Sequence, residues 1–82
     1  MKVFVQGSAG TSRADIETAM FAAGMLYRGS HDTVDGGEYV EGELKDGADF
    51  AAFESSVRQA LGNRVVGVGS ATKTEWSTEG GF

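Results

Sequence analysis

Apolar residues along this chain alternate between two spacings, and this alternation constrains the fold more than any other feature. In residues 2–6 and 38–45 they tend to recur at every second position, which is typical of a strand with one buried face. From Ile16 and from Phe50 they recur at every third or fourth position, which is typical of an amphipathic helix. The segments follow in the order strand, helix, strand, strand, helix, strand. The chain is therefore predicted to fold as one mixed α and β domain.

Glycine and short polar residues mark the ends of the first elements. A strand is predicted over residues 2–6, and the helix that follows can be capped by Thr11 or Ser12, whose hydroxyl can accept a backbone hydrogen bond. Gly24 suits the left-handed end of that helix. The second strand is predicted to begin with residues 25–28, and its end is open between there and Val34.

The second half of the chain repeats this pattern. A turn is predicted at residues 36–37, followed by a strand over residues 38–45 and a helix that Asp46 can cap. The apolar stripe of this helix consists of Phe50, Phe53, Val57, Ala60 and Leu61. A last strand is predicted to begin at Val65 and to reach as far as Trp76.

The order of elements predicts the α+β class and, within it, a ferredoxin-like β-α-β-β-α-β fold. This fold is a four-stranded antiparallel sheet with two helices on one face and with the first and third strands in its centre. The predicted core consists of Val3, Val5, Ile16, Met20, Val40, Leu44, Phe50, Phe53 and Val57. The predicted helix-free face carries Phe4, Tyr39, Glu41 and Glu43. The domain is predicted to occupy residues 1–76, with a flexible C-terminal tail at 77–82.

Negative charge is concentrated in the middle of the chain. The 82 residues carry a net charge of −5, yet seven acidic residues and a single basic residue, Lys45, lie between positions 32 and 49. A chain of this charge lacks the basic surface needed to bind nucleic acid or an anionic membrane directly. The acidic segment is instead expected to face a protein with a basic surface.

Composition excludes several other classes of site. The chain has no cysteine, so it can form neither a disulfide nor a thiolate zinc site, and it has one histidine, which argues against a transition-metal centre. No apolar run approaches the length of a membrane-spanning helix, and residues 1–10 do not have the apolar core of a signal peptide. A cytoplasmic protein without a cofactor or a metal is predicted.

Three local patterns could carry chemistry, and each has a simpler explanation. The glycine-containing segment at residues 7–13 could bind an anion at a helix N-terminus, but it lacks a P-loop ending, and helix capping explains the same residues. His31 and Asp32 could act together as a histidine–carboxylate general base, although the side chains of adjacent residues in an extended chain point to opposite sides. Asp32, Asp35 and Glu38 could bind a divalent cation but do not fit a calcium loop.

The leading hypothesis is a small acidic interaction protein that is not an enzyme. Aromatic residues anchor protein contacts, while carboxylates steer a basic partner and pair with its Arg or Lys side chains. The residues predicted to bind the partner are Phe4, Asp32, Asp35, Glu38, Tyr39, Glu41 and Glu43. In size and charge the chain resembles small phage-encoded inhibitors, which suggests a nucleic-acid mimic that blocks the basic site of its target. A monomer or a homodimer would suit this role.

Two alternatives remain open from the sequence. A small-molecule-binding regulatory module, or a small dimeric enzyme, of ferredoxin-like fold would use His31, Tyr27, Tyr39 and Trp76, but this rests on analogy between folds. A structural subunit of a larger assembly would join its neighbours through the faces or edges of the sheet.

Overall fold

The computed structural model describes residues 1–70 of the 82-residue chain. The elements follow one another as β1 (Lys2–Gly7), α1 (Arg13–Ala22), β2 (Tyr27–Val34), β3 (Gly37–Glu43), α2 (Phe50–Leu61), a short 3-10 helix (Gly62–Arg64) and β4 (Val65–Ser70). The predicted α+β class is confirmed. The predicted tail at 77–82 and the predicted end of the last strand at Trp76 lie outside the described residues.

The four strands form one antiparallel sheet in the order β2-β3-β1-β4. The predicted central position of the first and third strands is therefore confirmed. In the register of the sheet, Val5 lies opposite Val40 on β3 and opposite Val68 on β4. Opposite residues share a face of the sheet, so these valines all project to one side.

The core lies on this valine-bearing side of the sheet. The buried residues are Val3, Val5, Ile16, Ala19, Met20, Met25, Val40, Leu44, Phe53, Val57 and Leu61, with Phe50 packed against them. Because residues of α1 and α2 join alternate residues of β1 and β3 in this one cluster, both helices lie on the same face. Every predicted core residue belongs to the cluster or packs on it. Ala60 of the predicted helical stripe is exposed.

Each helix begins at a side chain that accepts a backbone hydrogen bond. The Ser12 hydroxyl accepts from the N–H of Asp15 at 3.1 Å, so of the two predicted caps Ser12 is correct. For α2 the predicted cap was wrong, since Asp49 and not Asp46 accepts from the backbone N–H groups, including that of Ala51 at 3.0 Å. A turn at residues 45–48 intervenes, and it delays the helix by one turn.

The second strand differs most from its prediction. Met25 and Leu26 precede β2, which runs over Tyr27–Val34 and has no fully buried residue. Met25 is buried instead as a core residue, and its Sδ lies where a side chain at Gly42 would have to sit. The apolar character of Met25 therefore reflects packing over β3 and not a strand, while Leu26 is 58% exposed.

The hairpin between β2 and β3 turns one residue earlier than predicted. Its two central residues are Asp35 and Gly36, with φ of 52° and 78°, which is the geometry of a type I′ turn. Asp tolerates positive φ better than most residues, and Gly adopts it freely. Gly37 already belongs to β3, where a Cβ would collide with the carbonyl oxygen of Gly7.

The last strand carries an irregularity near its start. Gly7 lies opposite Val65 and Gln6 opposite Gly67, so Val66 is an extra residue in β4, and it is 60% exposed. A glycine in a strand often marks such a bulge, and here Gly67 directly follows the extra residue. Within residues 1–70, no helix is long and apolar enough to cross a membrane.

Candidate functional site

The face of the sheet opposite the helices brings together most of the residues predicted to bind a partner. Alternation along β1 and β3 places Phe4, Tyr39, Glu41 and Glu43 on this open face, opposite the buried Val5 and Val40. Asp32 joins them, because it lies directly across from Tyr39 in the β2–β3 register. We call these five residues the acidic face.

Two aromatic rings form the apolar part of the acidic face. The rings of Phe4 and Tyr39 are stacked, with centroids 5.4 Å apart and planes at 27°. The Phe4 ring also covers the backbone of Gly69 on β4, since a Cβ built there would overlap its ring atoms. The ring pair therefore spans three strands, from β3 across β1 to β4.

Glu41 is held in place by an irregularity in the neighbouring strand. The β2–β3 pairing shifts between Arg28 and His31, so Gly29 and Ser30 both lie opposite Glu41. The Ser30 hydroxyl donates to Glu41 Oε1 at 2.7 Å. Bulges commonly redirect a side chain in this way. The Glu41 carboxylate is therefore oriented on the open face by a neutral donor that leaves its charge intact.

Tyr39 is influenced by both its burial and its acidic neighbour. Desolvation of the half-buried ring raises the pKa of the Tyr39 phenol above its ordinary value of 10.0, and the negative charge of Glu41 raises it further. Both effects disfavour a phenolate. Tyr39 is therefore a neutral hydroxyl-bearing ring beside a carboxylate at physiological pH.

Glu43 differs from Glu41 because it has a cationic partner. The α-amino group of Met1 donates to Glu43 Oε2 at 2.7 Å and lies 3.5 Å from Asp46 Oδ1. The hydrogen bond to Glu43 raises the pKa of this amino group above its ordinary value of 8.0, against a lowering by desolvation. Glu43 thus contributes less uncompensated charge to the acidic face than Glu41 does.

The remaining two predicted residues lie off the acidic face. Asp35 is in the turn at the tip of the β2–β3 hairpin. Glu38 lies on the same side of β3 as Val40, where its Oε2 accepts from the Thr33 hydroxyl at 3.1 Å. The predicted set is thus divided between the open face, the hairpin tip and the helix-bearing side.

The arginines are paired away from this region, and the positive charges beside the open face include the Met1 amino group and Lys2, which lies across from Glu43. Within residues 1–70, every arginine forms an ion pair with a carboxylate of α1 or α2, through Arg13–Glu17, Arg28–Glu17, Arg58–Glu54 and Arg64–Asp15. In the same part of the chain, no ion pair involves Asp32, Asp35, Glu38 or Glu41. These four carboxylates, unlike Glu43, therefore keep their charge for solvent or for a partner.

His31 lies on the helix-bearing side of β2, away from Asp32. Its Nε2 is 2.8 Å from Nη1 of Arg13, whose guanidinium also pairs with Glu17. Glu17 in turn pairs with Arg28 at 3.1 Å, so a polar seam joins α1 to β2. The register places His31 and Tyr39 on opposite faces of the sheet, so these two residues of the small-molecule alternative do not converge.

Three depressions in the described part of the chain lie away from His31. Open depressions of about 440, 270 and 340 Å³ are lined mainly by residues of α1 and α2 and by the turn before α2, and His31 lines none of the three. Tyr27, which is 59% exposed, lies across from Glu43 on the open face, and Trp76 is outside the described residues. The enzyme alternative thus gains no enclosed site from these three depressions.

In the glycine-containing segment at residues 7–13, two backbone N–H groups that could have bound an anion donate to carbonyl oxygens of the protein. The Ser8 N–H donates to the Arg64 carbonyl oxygen at 2.7 Å, and the Thr11 N–H donates to the Ser8 carbonyl oxygen at 3.0 Å. Arg13 is turned toward Glu17 and His31. Within residues 1–70, no group of three or more potential metal ligands occurs.

No protein-family model, curated protein or solved structure matches the chain.

Proposed function

We propose that this chain is a non-enzymatic interaction protein that binds a basic protein surface through its acidic face and the adjoining hairpin tip. We further propose the ferredoxin-like fold as the finer description of its architecture, which the element order and the central β1 and β3 support. In this arrangement the helices cover one side of the sheet and leave the other side for binding.

The separation of charge is the observation that carries this proposal. The arginines of residues 1–70 are paired with helix carboxylates, whereas Asp32, Asp35, Glu38 and Glu41 have no cationic partner there. Carboxylates left unpaired beside a pair of aromatic rings combine steering with an apolar anchor. A purely solubilising charge would need neither the ring pair nor the Ser30 bond that orients Glu41.

A specific form of this function is inhibition by charge mimicry in the cytoplasm. Carboxylates spread over a sheet face and a hairpin tip can occupy a site that otherwise binds nucleic-acid phosphates, because that site offers Lys and Arg side chains. A phage-type inhibitor of a nucleic-acid-binding protein would work in this way. Its target would be unable to bind the inhibitor and nucleic acid together.

Capture of partners from the source cell tests the proposal when it is combined with matched charge reversals. The test variant is the double substitution Asp32→Lys and Glu41→Lys, and the control is Asp15→Lys and Glu54→Lys, which changes the charge equally on the helices. A specific partner should be retained by the wild type and the control and lost by the test variant. Raising the salt from about 0.1 to 1 M shortens the Debye length from about 10 to 3 Å and should release the partner.

Two results would count against the proposal. Retention of the partner at high salt would show that charge does not drive binding, and equal loss in both double variants would show that only net charge matters. The mimicry form has its own test, since a DNA or RNA duplex added to the captured complex should displace the protein from its target. Simultaneous binding of both would exclude mimicry.

A further inference from the structure

We propose that the acidic face contains a subsite selective for an arginine side chain, formed by the Tyr39 ring and the carboxylates of Glu41 and Asp32. This inference rests on the proposed function and specifies the chemistry of its partner. The guanidinium would lie against the ring and donate hydrogen bonds to the two neighbouring carboxylates, one across the strand pair and one along β3.

The register of the sheet brings the three side chains together. Asp32 is directly opposite Tyr39 on β2, and Glu41 is two residues further along the same face of β3. Directly opposed residues of an antiparallel pair have Cβ atoms about 5 Å apart, and neighbours along one face of a strand are about 7 Å apart. A planar guanidinium with five N–H donors can span such a separation, and a single ammonium cannot contact all three groups equally well.

The subsite is held in position by bonds within the protein. The Phe4 ring stacks on Tyr39, and the Ser30 hydroxyl fixes Oε1 of Glu41. Asp32 is fixed in the same way, because its Oδ1 accepts from the Thr33 N–H at 2.8 Å. Each carboxylate therefore has one oxygen engaged by a neutral donor, so little ordering is required when a cation binds.

Charge complementarity identifies the occupant as a cation. Within residues 1–70 no basic side chain pairs with Asp32 or Glu41, and the raised pKa of Tyr39 keeps its ring neutral beside them. Arginine is favoured over lysine because guanidinium stacks on aromatic rings, binds carboxylates in a bidentate manner and is less strongly hydrated. The partner segment should therefore carry arginine at the position that meets Tyr39.

Binding of two peptides of equal charge tests the subsite. The probes are fluorescently labelled peptides with six arginines or six lysines, separated by Gly-Ser, and their anisotropy is measured with the purified 82-residue protein. A cation–π contact at an exposed site is worth about 0.5–1 kcal/mol, so the arginine peptide should bind about two- to fivefold more tightly.

Substitutions assign the preference to particular side chains. Tyr39→Leu should abolish the arginine preference, whereas Tyr39→Phe, which keeps the ring, should retain it. Glu41→Gln should weaken binding of the arginine peptide more than Glu38→Gln does, because the latter removes equal charge from the other side of the sheet. Ser30→Ala keeps all charges and should reduce the preference by releasing Glu41.

The outcomes separate this inference from the proposed function. Equal affinity for the two peptides, or a preference that survives Tyr39→Leu, overturns the subsite even if binding stays salt-dependent, and the proposed function then stands. If neither peptide binds, the subsite is also overturned, while partner capture tests the proposed function independently. Circular dichroism spectra of the variants, matching that of the wild type, ensure that a lost preference does not reflect unfolding.

Discussion

Two glycines in β4 allow a controlled test of the ring pair on the open face. Gly67 and Gly69 project to the same face of the sheet, across β1 from Gln6 and Phe4 respectively. A Cβ added at Gly67 meets no atom within 4 Å, whereas one added at Gly69 overlaps the Phe4 ring and lies 3.1 Å from its Cε2. The same substitution, Gly→Ala, therefore has opposite consequences two residues apart.

The expected difference follows from three contributions. Replacing a strand glycine by alanine gains about 0.5–1 kcal/mol from reduced chain entropy in the unfolded state, and this gain is common to both variants. Only Gly69→Ala must move the Phe4 ring, which forfeits a stack worth about 0.5–1.5 kcal/mol. Crowding at the packed site costs about a further 1–3 kcal/mol. Gly69→Ala should thus be less stable than Gly67→Ala by about 1.5–4.5 kcal/mol.

Urea denaturation of the two variants measures this difference. For a domain of this size each kcal/mol corresponds to about 4–8 °C in Tm, so Gly69→Ala should also melt at least about 6 °C below Gly67→Ala. The m-value should be the same in both variants, because the surface exposed on unfolding does not change. Equal stabilities, or a more stable Gly69→Ala, would refute the placement of the Phe4 ring over β4.

Three further predictions concern helix capping, pH and the core. Asp49→Ala should cost about 1 kcal/mol in urea denaturation and Asp46→Ala clearly less, because only Asp49 caps α2; the reverse order would contradict this assignment. Stability should fall as pH rises through the raised pKa of the Met1 amino group, because the Glu43 bond is complete below about pH 8 and is lost with the proton; Glu43→Gln should weaken this dependence and leave the smaller part that is due to Asp46. Met25→Ala should lower the free energy of unfolding in urea by about 2–5 kcal/mol, because Met25 is only 5% exposed. An alanine substitution at an exposed position would lower it far less.

Strong periodicity made most of the fold predictable. Val3, Val5 and Val40 alternate with polar or aromatic residues, and this pattern located β1, β3 and their buried face correctly. It failed for β2, whose residues are nearly all exposed and therefore show no alternation. Because Met25 and Leu26 form an apolar pair just before β2, the strand was predicted to begin at residue 25, two residues before its actual start at Tyr27.

The errors at turns arose from several acceptable residues competing locally. Asp46 and Asp49 are equally suitable caps by residue type, and only the turn at residues 45–48 decides between them. At the β2–β3 hairpin, Asp35-Gly36 and Gly36-Gly37 both suit a two-residue turn, and pairing between the strands selects the former. Residue type therefore limits which residues can form a cap or a turn, and the pairing and packing of the elements determine which of them does.

Alternation along the strands also made part of the acidic face predictable. Alternation placed Phe4, Tyr39, Glu41 and Glu43 on one side of the sheet. The bond from Ser30 to Glu41 depends on the β2 bulge, and that from Met1 to Glu43 depends on the β1–β3 register. The residues of each pair are far apart in the sequence, so no local sequence pattern could predict either contact.

The polar character of β2 has a consequence for how the sheet opens. β2 contributes no buried residue, so besides its pairing with β3 it is held mainly by the polar seam to α1, whose exposed ion pairs are worth about 0–1 kcal/mol each. The strand can therefore detach by local unfolding while β1, β3, β4 and both helices keep the core intact. Backbone amides of β2 should exchange with deuterium before those of β1. Since β2 carries Asp32 and Ser30, a bound cation would close this opening, and binding would be read out as slower exchange along one edge of the sheet.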